Sequence, residues 1–284
     1  MTRHINLNAW AMIAGLFALL VSGCGTPVPR KSDLGGTLVV GGSGSAYPML
    51  TTLTTAFNQE YPRVQISFQP SSQSSTAVKY VAEGKINIGA IARALTNQER
   101  TADITHIPIA RDGIVVAVHH NVSVTSLTSA QIRSIYTGSV HSWSELGGET
   151  REIIVLDRAE SETAKIALRQ FVIGQNTRIV SDATILPTEQ EMYESVATVA
   201  DTIGYFSFSY VLKNPSKVRA LTIDGVTPSL DTMQSGDYAV VRPVGIVVKT
   251  DQMNVSPLKE FLQFLSSAQA QSALTRDGFL PEVR

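Results

Sequence analysis

The chain contains one cysteine, Cys24, so no disulfide can form within it and its stability must come from packing. The chain also lacks an excess of charge of either sign, because 23 Lys and Arg residues are balanced by 24 Asp and Glu residues and the formal net charge is −1. Such a balance argues against nucleic acid or an anionic lipid surface as the partner. His, Cys, Asp and Glu residues nowhere show the spacing of metal ligands, and we expect neither a metal nor a cofactor.

Long hydrophobic runs are also missing. The apolar stretch 9–21 is shorter than the ~20 residues that a membrane span needs. It follows a positively charged start, a pattern typical of a secretory signal, which we place at residues 1–23. Ser22 and Gly23 before Cys24 resemble a bacterial lipobox, which implies that Cys24 becomes the acylated, palmitate-bearing N-terminus of a membrane-anchored extracytoplasmic lipoprotein. The alternatives are that the apolar stretch is an uncleaved membrane anchor, or that Cys24 is a buried thiol in an ordinary signal sequence.

The rest of the chain alternates between strand-like and helical patterns. About 260 residues follow the signal, which is long for one compact core, so we expect two lobes. Two capping boxes, Thr128 with Gln131 and Thr188 with Glu191, mark helix starts. The alternation predicts an α/β architecture. Strands are expected at 37–40, 64–68, 86–91, 114–118, 153–156, 203–206, 218–221 and 245–248, and helices at 48–57, 77–81, 162–172 and, as a C-terminal pair, 257–276.

Turns that lead from a predicted strand into a predicted helix are rich in hydroxyl groups at three places. A helix N-terminus offers unpaired backbone N–H groups and the positive end of the helix dipole, which suit an anion. Taken singly, each turn is equally well explained as a tight connection, a helix cap or a surface salt bridge. Together they favour an oxyanion held in a cleft. The turns are 41–48 with Ser45, 71–76 with Ser75, and 157–163 with Arg158, Ser161 and Thr163.

Longer motifs make a resemblance specific. The chain resembles the phosphate-binding proteins of bacterial phosphate ABC transporters over nearly its whole length beyond residue 36. The stretches that carry the resemblance are Gly42-Ser-Gly-Ser-Ala-Tyr-Pro48, Leu127-Thr-Ser-Ala-Gln-Ile-Arg-Ser-Ile-Tyr-Thr-Gly138 with Trp143, Ile203-Gly204-Tyr205, Arg242-Pro243 and Gly278-Phe-Leu-Pro281.

The resemblance implies the type II periplasmic binding-protein fold, in which two α/β lobes are joined by a two-crossover hinge. Residues 24–36 would then be a lipidated tether. Lobe one would begin with 37–114, lobe two would be 115–239, and 240–284 would return to lobe one.

The resemblance also implies a monomeric solute-binding protein and not an enzyme. Its ligand would be inorganic phosphate or a similar oxyanion, and its partner the permease of an ABC transporter. The ligand-binding residues implied by the matching motifs are Ser45, Ala46 and Tyr47 (the latter two through backbone N–H groups), Ser75, Arg158, Ser161 and Thr163.

The chain departs from the family pattern in the ligand loops. Glu162 brings a negative charge into the turn of Arg158, where the family has glycines. Ile91 and Ala92 lie where the family often has an Asp or Ser ligand, and in that family the Asp accepts the proton of bound hydrogen phosphate. We therefore expect weaker discrimination between phosphate and sulfate, unless Glu160 or Glu162 supplies the missing acceptor.

Two other classes of protein compete with this interpretation. A secreted hydrolase needs an activated nucleophile or bound metals, and the sequence indicates neither. A surface adhesion or signalling lipoprotein that kept the fold and lost the ligand is favoured by Glu162 and Ala92. A bound anion would distinguish transport from adhesion.

Overall fold

The structure is a computed structural model that describes residues 33–282. The predicted signal peptide, Cys24 and most of the predicted tether lie outside the described residues. Within 33–282, no helix has both the length and the hydrophobicity required to cross a membrane.

Strands and helices alternate through most of the described chain, which confirms the predicted α/β architecture. The strands are β1 (Gly35–Ser43), β2 (Arg63–Ser72), β3 (Ile88–Ile91), β4 (Ile104–His119), β5 (Ser126–Leu127), β6 (Ile154–Asp157), β7 (Thr184–Ile185), β8 (Thr202–Ser207), β9 (Val218–Ala220), β10 (Thr222–Ile223), β11 (Val241–Lys249) and β12 (Phe279–Pro281). The helices are α1 (Tyr47–Glu60), α2 (Ser74–Ala82), α3 (Ser129–Tyr136), α4 (Thr163–Leu168), α5 (Glu189–Thr198), α6 (Phe208–Lys213), α7 (Leu230–Ser235), α8 (Leu258–Phe264) and α9 (Ala268–Arg276).

Most of the strands join in one continuous sheet with the order β2-β1-β3-β11-β4-β8-β6-β7, to which β9 and β12 add by pairing with β4. At one end β2, β1 and β3 are parallel, and at the other end β8, β6 and β7 are parallel. Between them, β11 and β4 run antiparallel to their neighbours.

Strand β4 belongs to both halves of this sheet. Its residues from Ile104 to Gly113 pair with β11, whereas those from Ile114 to Val118 pair with β8. The chain therefore passes from one half to the other inside a single strand and returns through β11. These two crossovers form the hinge of the type II fold.

Each half has its own hydrophobic core. We call the half whose core includes Leu38, Phe57 and Phe261 the first lobe, and the half whose core includes Trp143 and Phe206 the second lobe.

Helices cover both faces of the first-lobe sheet, and β11 shows how the sequence specifies this. Ile246 and Val248 point into the main core, while Val247 packs on the opposite face against Ala77 and Val81 of α2. Successive side chains of a strand point to opposite faces, so this apolar run buries both sides of the sheet.

Both predicted capping boxes are formed, at the starts of α3 and α5. The predicted C-terminal pair of helices is present as α8 and α9. The strand predicted at 114–118 is the second half of the longer β4. The helix predicted at 162–172 is α4 followed by a π-helical turn, Arg169–Ile173. The lobe boundaries near 114 and 239 stay predictions.

Candidate functional site

A cavity of about 670 Å³ lies between the lobes. Ser45, Tyr47 and Ser72 line it from the first lobe, and Arg158 and Glu189 line it from the second. The hydroxyl-rich turns at 41–48, 71–76 and 157–163 all contribute to its wall, as their position after strands predicted.

The first turn holds Ser45 at the wall of the cavity. β1 ends at Ser43, and a 3-10 turn, Gly44–Ala46, leads into α1. Gly42 has φ +118°, and a Cβ there would lie 2.5 Å from both the Ala90 carbonyl oxygen and the Ala77 Cβ, so only glycine fits. Ser45 is buried, and its hydroxyl donates a hydrogen bond to Glu189 Oε2 at 2.9 Å.

The neighbours of Ser45 make different contacts. Ala46 is fully buried in the first-lobe core. The backbone N–H of Tyr47 donates to the Gly44 carbonyl, and its phenol donates to the Gln69 carbonyl at 2.8 Å. Burial raises the pKa of the Tyr47 phenol, so it stays protonated. The backbone donor that the sequence assigned to Tyr47 is thus engaged in the 3-10 turn.

Arg158 is a buried cation of the cavity wall, which also includes Glu162, Glu189 and Lys213. It follows β6, and its side chain is only 3% exposed. Its Nη2 donates to Glu162 Oε2 at 2.7 Å and to the Pro187 carbonyl at 3.3 Å. Its Nε and Nη1 are buried and have no hydrogen-bond partner among the described residues. A buried guanidinium with two unpaired nitrogens at a cavity is suited to receive an anion.

A buried network under Arg158 fixes its backbone. Its N–H donates to the Tyr205 hydroxyl oxygen at 3.0 Å, and its carbonyl accepts from Lys165 Nζ at 3.4 Å. The Tyr205 hydroxyl in turn donates to Asp157 Oδ1 at 2.7 Å, and Lys165 forms an ion pair with Asp157 Oδ2. Arg158 is therefore held on a rigid support.

A second buried cluster lies at the hinge and was not predicted from the sequence. Arg242 on β11 donates to Asp112 Oδ2 through Nε (3.0 Å) and Nη2 (2.7 Å), and through Nη2 to Glu189 Oε1 at 2.9 Å. It also reaches two residues of the predicted site, the Thr163 hydroxyl at 3.1 Å and the Ser45 carbonyl at 3.4 Å. One guanidinium thus ties the first turn, the hinge and the second lobe together.

Two carboxylates share this guanidinium and differ in their titration. Burial raises the pKa of Asp112 to about 6, with a further contribution from the negative charge of Glu189. Burial also opposes the ionisation of Glu189, but the positive charge of Arg242 and its hydrogen bonds hold the pKa of Glu189 below its ordinary value. Glu189 therefore stays ionised to lower pH than Asp112.

The remaining predicted residues are placed as follows. Ser161 accepts from Gln73 Nε2 at 2.9 Å, an exposed contact between the lobes. Thr163 begins α4 and accepts from Arg242. Ser75 is exposed, whereas its neighbour Ser74 is buried and accepts from the Ala92 N–H at 3.3 Å. Ser45, Tyr47 and Arg158 line the cavity, while Ala46, Ser75, Ser161 and Thr163 are not among the described lining residues.

The acidic residues named from the sequence have cationic partners. Glu162 pairs with Arg158, and Glu160 pairs with Arg169 at 2.7 Å and with Lys165 at 3.3 Å. Among residues 33–282, no three or more His, Cys, Asp or Glu side chains are placed to hold a metal ion.

Comparisons with known proteins agree on one family. The model of the PBP superfamily domain matches residues 28–269. The phosphate-binding protein PstS of Bacillus subtilis (strain 168) is 24% identical over 284 residues, which cover 95% of this chain and 92% of that protein.

Solved structures agree with this relationship. One from Clostridium perfringens, described as a phosphate ABC transporter substrate-binding protein with bound phosphate, has a TM-score of 0.76 and 29% identity over 87% of this chain and 100% of that chain. An ABC-type phosphate transport receptor from Vibrio cholerae has a TM-score of 0.62 and 26% identity over 86% of this chain and 99% of that chain.

Proposed function

The chain belongs to the PBP superfamily, and on that premise we propose that it captures phosphate between its lobes and delivers it to the permease of an ABC transporter. The observation that carries the proposal is the buried guanidinium of Arg158 at the cavity, whose Nε and Nη1 have no hydrogen-bond partner among residues 33–282. A charge-assisted hydrogen bond to an anion contributes about 1.5–3 kcal/mol, so an anion would relieve the cost of burying these donors. The relatives named for phosphate, including one with phosphate bound, indicate which anion.

The ligand residues that we propose are Ser45, Arg158 and the turn that contains Ser161 and Thr163. Ser45 and Arg158 line the same cavity from opposite lobes, and we propose that one anion contacts both. Glu162 does not prevent binding in this arrangement, because its carboxylate holds Nη2 of Arg158 and leaves the other two nitrogens unpaired. Glu162 and Ala92 were the two residues that favoured an adhesion or signalling protein without ligand binding. The pairing of Glu162 with Arg158 removes the argument from Glu162.

The N-terminal motif adds a location to the proposal. We propose that the protein functions as a monomer outside the cytoplasm, anchored through acyl chains on Cys24, where it meets the permease at the membrane surface. The proposal includes no catalytic step, so phosphate should leave the protein chemically unchanged.

Calorimetric titration of the purified full-length protein in detergent tests phosphate capture. We expect saturable binding of phosphate with one-to-one stoichiometry. Phosphate that copurifies with the protein should first be removed by dialysis against an enzymatic phosphate scavenger. Absence of binding after that step, with a native circular dichroism spectrum, would contradict phosphate capture.

A further inference from the structure

Glu189 lies between the lobes and is held by hydrogen bonds from three directions. It is the first residue of α5 in the second lobe, and its side chain is 2% exposed. Its Oε1 accepts from the Ser207 N–H at 2.8 Å and from Arg242 Nη2 at 2.9 Å. Its Oε2 accepts from the Ser45 hydroxyl at 2.9 Å, across the cleft. The carboxylate is therefore fixed against rotation.

The ionised state of Glu189 determines which way the Ser45 hydroxyl points. The nearby guanidinium of Arg242, together with that of Arg158, holds the pKa of Glu189 low against the effect of burial. An ionised carboxylate can only accept hydrogen bonds, so Ser45 must be the donor in this contact. A serine hydroxyl has one proton, and this contact uses it. What Ser45 can offer to a ligand in the cavity is then a lone pair, which accepts.

This arrangement gives the site an acceptor beside its donors. Arg158 provides donors only, because a guanidinium has no acceptor. We propose that the Ser45–Glu189 pair is the specificity-determining element of the site, which selects a tetrahedral oxyanion that carries a proton, such as hydrogen phosphate, over one that carries none, such as sulfate. This inference rests on the proposed function. Ser45 contacts the ligand, and Glu189 is a positioning residue that acts through Ser45.

The other acidic groups near the cavity are less suited to this role. Glu162 also lines the cavity, but its Oε2 accepts from Arg158, and its charge is paired with that guanidinium. Glu160 is paired with Arg169 and Lys165. Asp112 accepts from Arg242 and from the Ser207 hydroxyl at 2.6 Å, and it is not among the described residues that line the cavity. Glu189 both lines the cavity and controls a hydroxyl that lines it.

The size of the selectivity follows from the cost of an unmade hydrogen bond. Sulfate would place an oxygen lone pair against the lone pair of Ser45, and neither group could donate. Sites that hydrogen-bond a ligand hydroxyl reject analogues without it by about 10⁴–10⁵-fold when the site is dry. The cavity here is open to solvent at its mouth, so we expect a phosphate preference of at least about 100-fold.

Glu189→Gln reverses the polarity of the contact while keeping its shape. The amide oxygen should stay on the donors Ser207 N–H and Arg242, because the amide nitrogen would clash with them. The amide nitrogen then donates to Ser45, whose proton turns toward the ligand. We expect the ratio of phosphate to sulfate affinity to fall at least about tenfold. Glu194→Gln, an exposed site on the same helix, makes the same change of charge and should keep the wild-type ratio.

The measurement is titration of the full-length wild type and both variants with phosphate and with sulfate. At about pH 8.5 most phosphate is a dianion and matches sulfate in charge, so the ratio of affinities reports the proton alone. A wild type that binds both anions equally would overturn this inference and leave the proposed function intact. A wild type that binds neither would overturn the proposed function itself. A wild-type ratio in Glu189→Gln would overturn the role of Glu189.

Ser45→Ala keeps the inference testable if Glu189→Gln does not fold. Removing the hydroxyl removes the acceptor, so phosphate affinity should fall about tenfold or more while sulfate affinity changes by less than about twofold. Equal losses for both anions would overturn the inference, because they would show that Ser45 acts as an ordinary donor.

Discussion

Arg242 and Asp112 are directly opposite each other in the pairing of β11 with β4, and Nη2 of Arg242 lies 2.7 Å from Oδ2 of Asp112. The pair therefore lies at the point where both crossovers pass between the lobes. Arg242 also bonds to Glu189 and to the Ser45 carbonyl, so a single side chain connects the hinge to the wall of the cavity. The hinge and the site are parts of one hydrogen-bonded network.

Replacing Arg242 should cost far more than the loss of one surface ion pair. Arg242→Met would leave the carboxylates of Asp112 and Glu189 buried without their shared cation. Breaking a buried pair in this way costs about 3–5 kcal/mol of the free energy of unfolding. Urea denaturation measures the loss, with the exposed Arg100→Met as the control. A loss below about 1 kcal/mol would show that the cluster contributes little to stability.

Arg158→Ala tests the buried arginine of the cavity wall. Removing a charge-assisted contact worth about 1.5–3 kcal/mol should weaken phosphate binding by roughly ten- to a hundredfold. The exposed Arg63→Ala changes the net charge equally and should leave the affinity unchanged. An unchanged dissociation constant for Arg158→Ala would mean that Arg158 only caps its turn.

Gly42→Ala tests the geometry of the first turn. The new Cβ would meet the Ala90 carbonyl oxygen and the Ala77 Cβ at 2.5 Å, in a backbone conformation that suits only glycine. We expect a loss of at least about 1–3 kcal/mol in the free energy of unfolding, together with weaker ligand binding. Gly84→Ala is a matched control, because Gly84 also has a positive φ but no atom within 4 Å of its Cβ position. Equal losses in the two variants would show that contacts around Gly42 are unimportant.

Glu99 provides a prediction about acid stability. Hydrogen bonds from Arg93 to both carboxylate oxygens, at 2.8 Å each, lower the pKa of Glu99 from its ordinary 4.5 to about 2. Its stabilising contribution is therefore complete above pH 4.5 and is lost as the pH falls toward about 2. The free energy of unfolding of Glu99→Gln should fall less than that of wild type between about pH 6 and about pH 2.5, by about 1–3 kcal/mol. Parallel pH profiles of the two proteins would contradict this.

Cys24→Ser tests the membrane anchor. Without the only thiol of the chain no lipid can be attached at this position, so the variant should appear as unprocessed precursor or as released soluble protein. Metabolic labelling with a fatty-acid analogue and fractionation of cells measure both effects. A variant that is processed and membrane-bound like wild type would contradict lipidation at Cys24.

The sequence predicted the architecture well because periodicity and capping are local. Thr128 with Gln131 and Thr188 with Glu191 cap helices as their spacing indicates. The first half of β4 was not predicted, because the strand was assigned from the β-branched run at 114–118 alone. In the structure, Pro108 lies where the register with β11 shifts, opposite Gly245, and proline is tolerated at such bulges.

The candidate site was only partly predictable. Arg158 and Ser45 were predicted as ligand residues because each follows a strand and precedes a helix, the position at which clefts form in this class of fold, and both line the cavity. In the turn at 71–76 the sequence predicted Ser75 as a ligand residue, and this stays a prediction; Ser75 is exposed, whereas Ser74 is buried and accepts from the Ala92 N–H. Adjacent residues of a helix point in directions that differ by about 100°, and the local sequence does not determine which of the two serines faces the interior.

Nothing in the sequence indicated that Glu189 and Asp112 join one buried cluster. An acidic residue at the start of a helix is ordinary, because it complements the helix dipole, and nothing local distinguishes Glu189 from the adjacent acidic positions of α5. Their role depends on Arg242, which is 53 residues from Glu189 and 130 residues from Asp112 along the chain. Such a cluster exists only after the lobes have come together.

The pairing of β4 with β11 has a mechanical consequence. From Ile104 to Gly113 the two strands are paired along the first lobe, and the connection between the lobes lies at the end of this pairing, where Val241 is opposite Gly113. A pair of hydrogen-bonded strands twists and bends more easily than it stretches, because stretching would break the hydrogen bonds between the strands. We therefore expect the lobes to rotate about the point where β4 and β11 cross between them and not to separate by translation. The cleft should then open at its mouth while its depth stays the same.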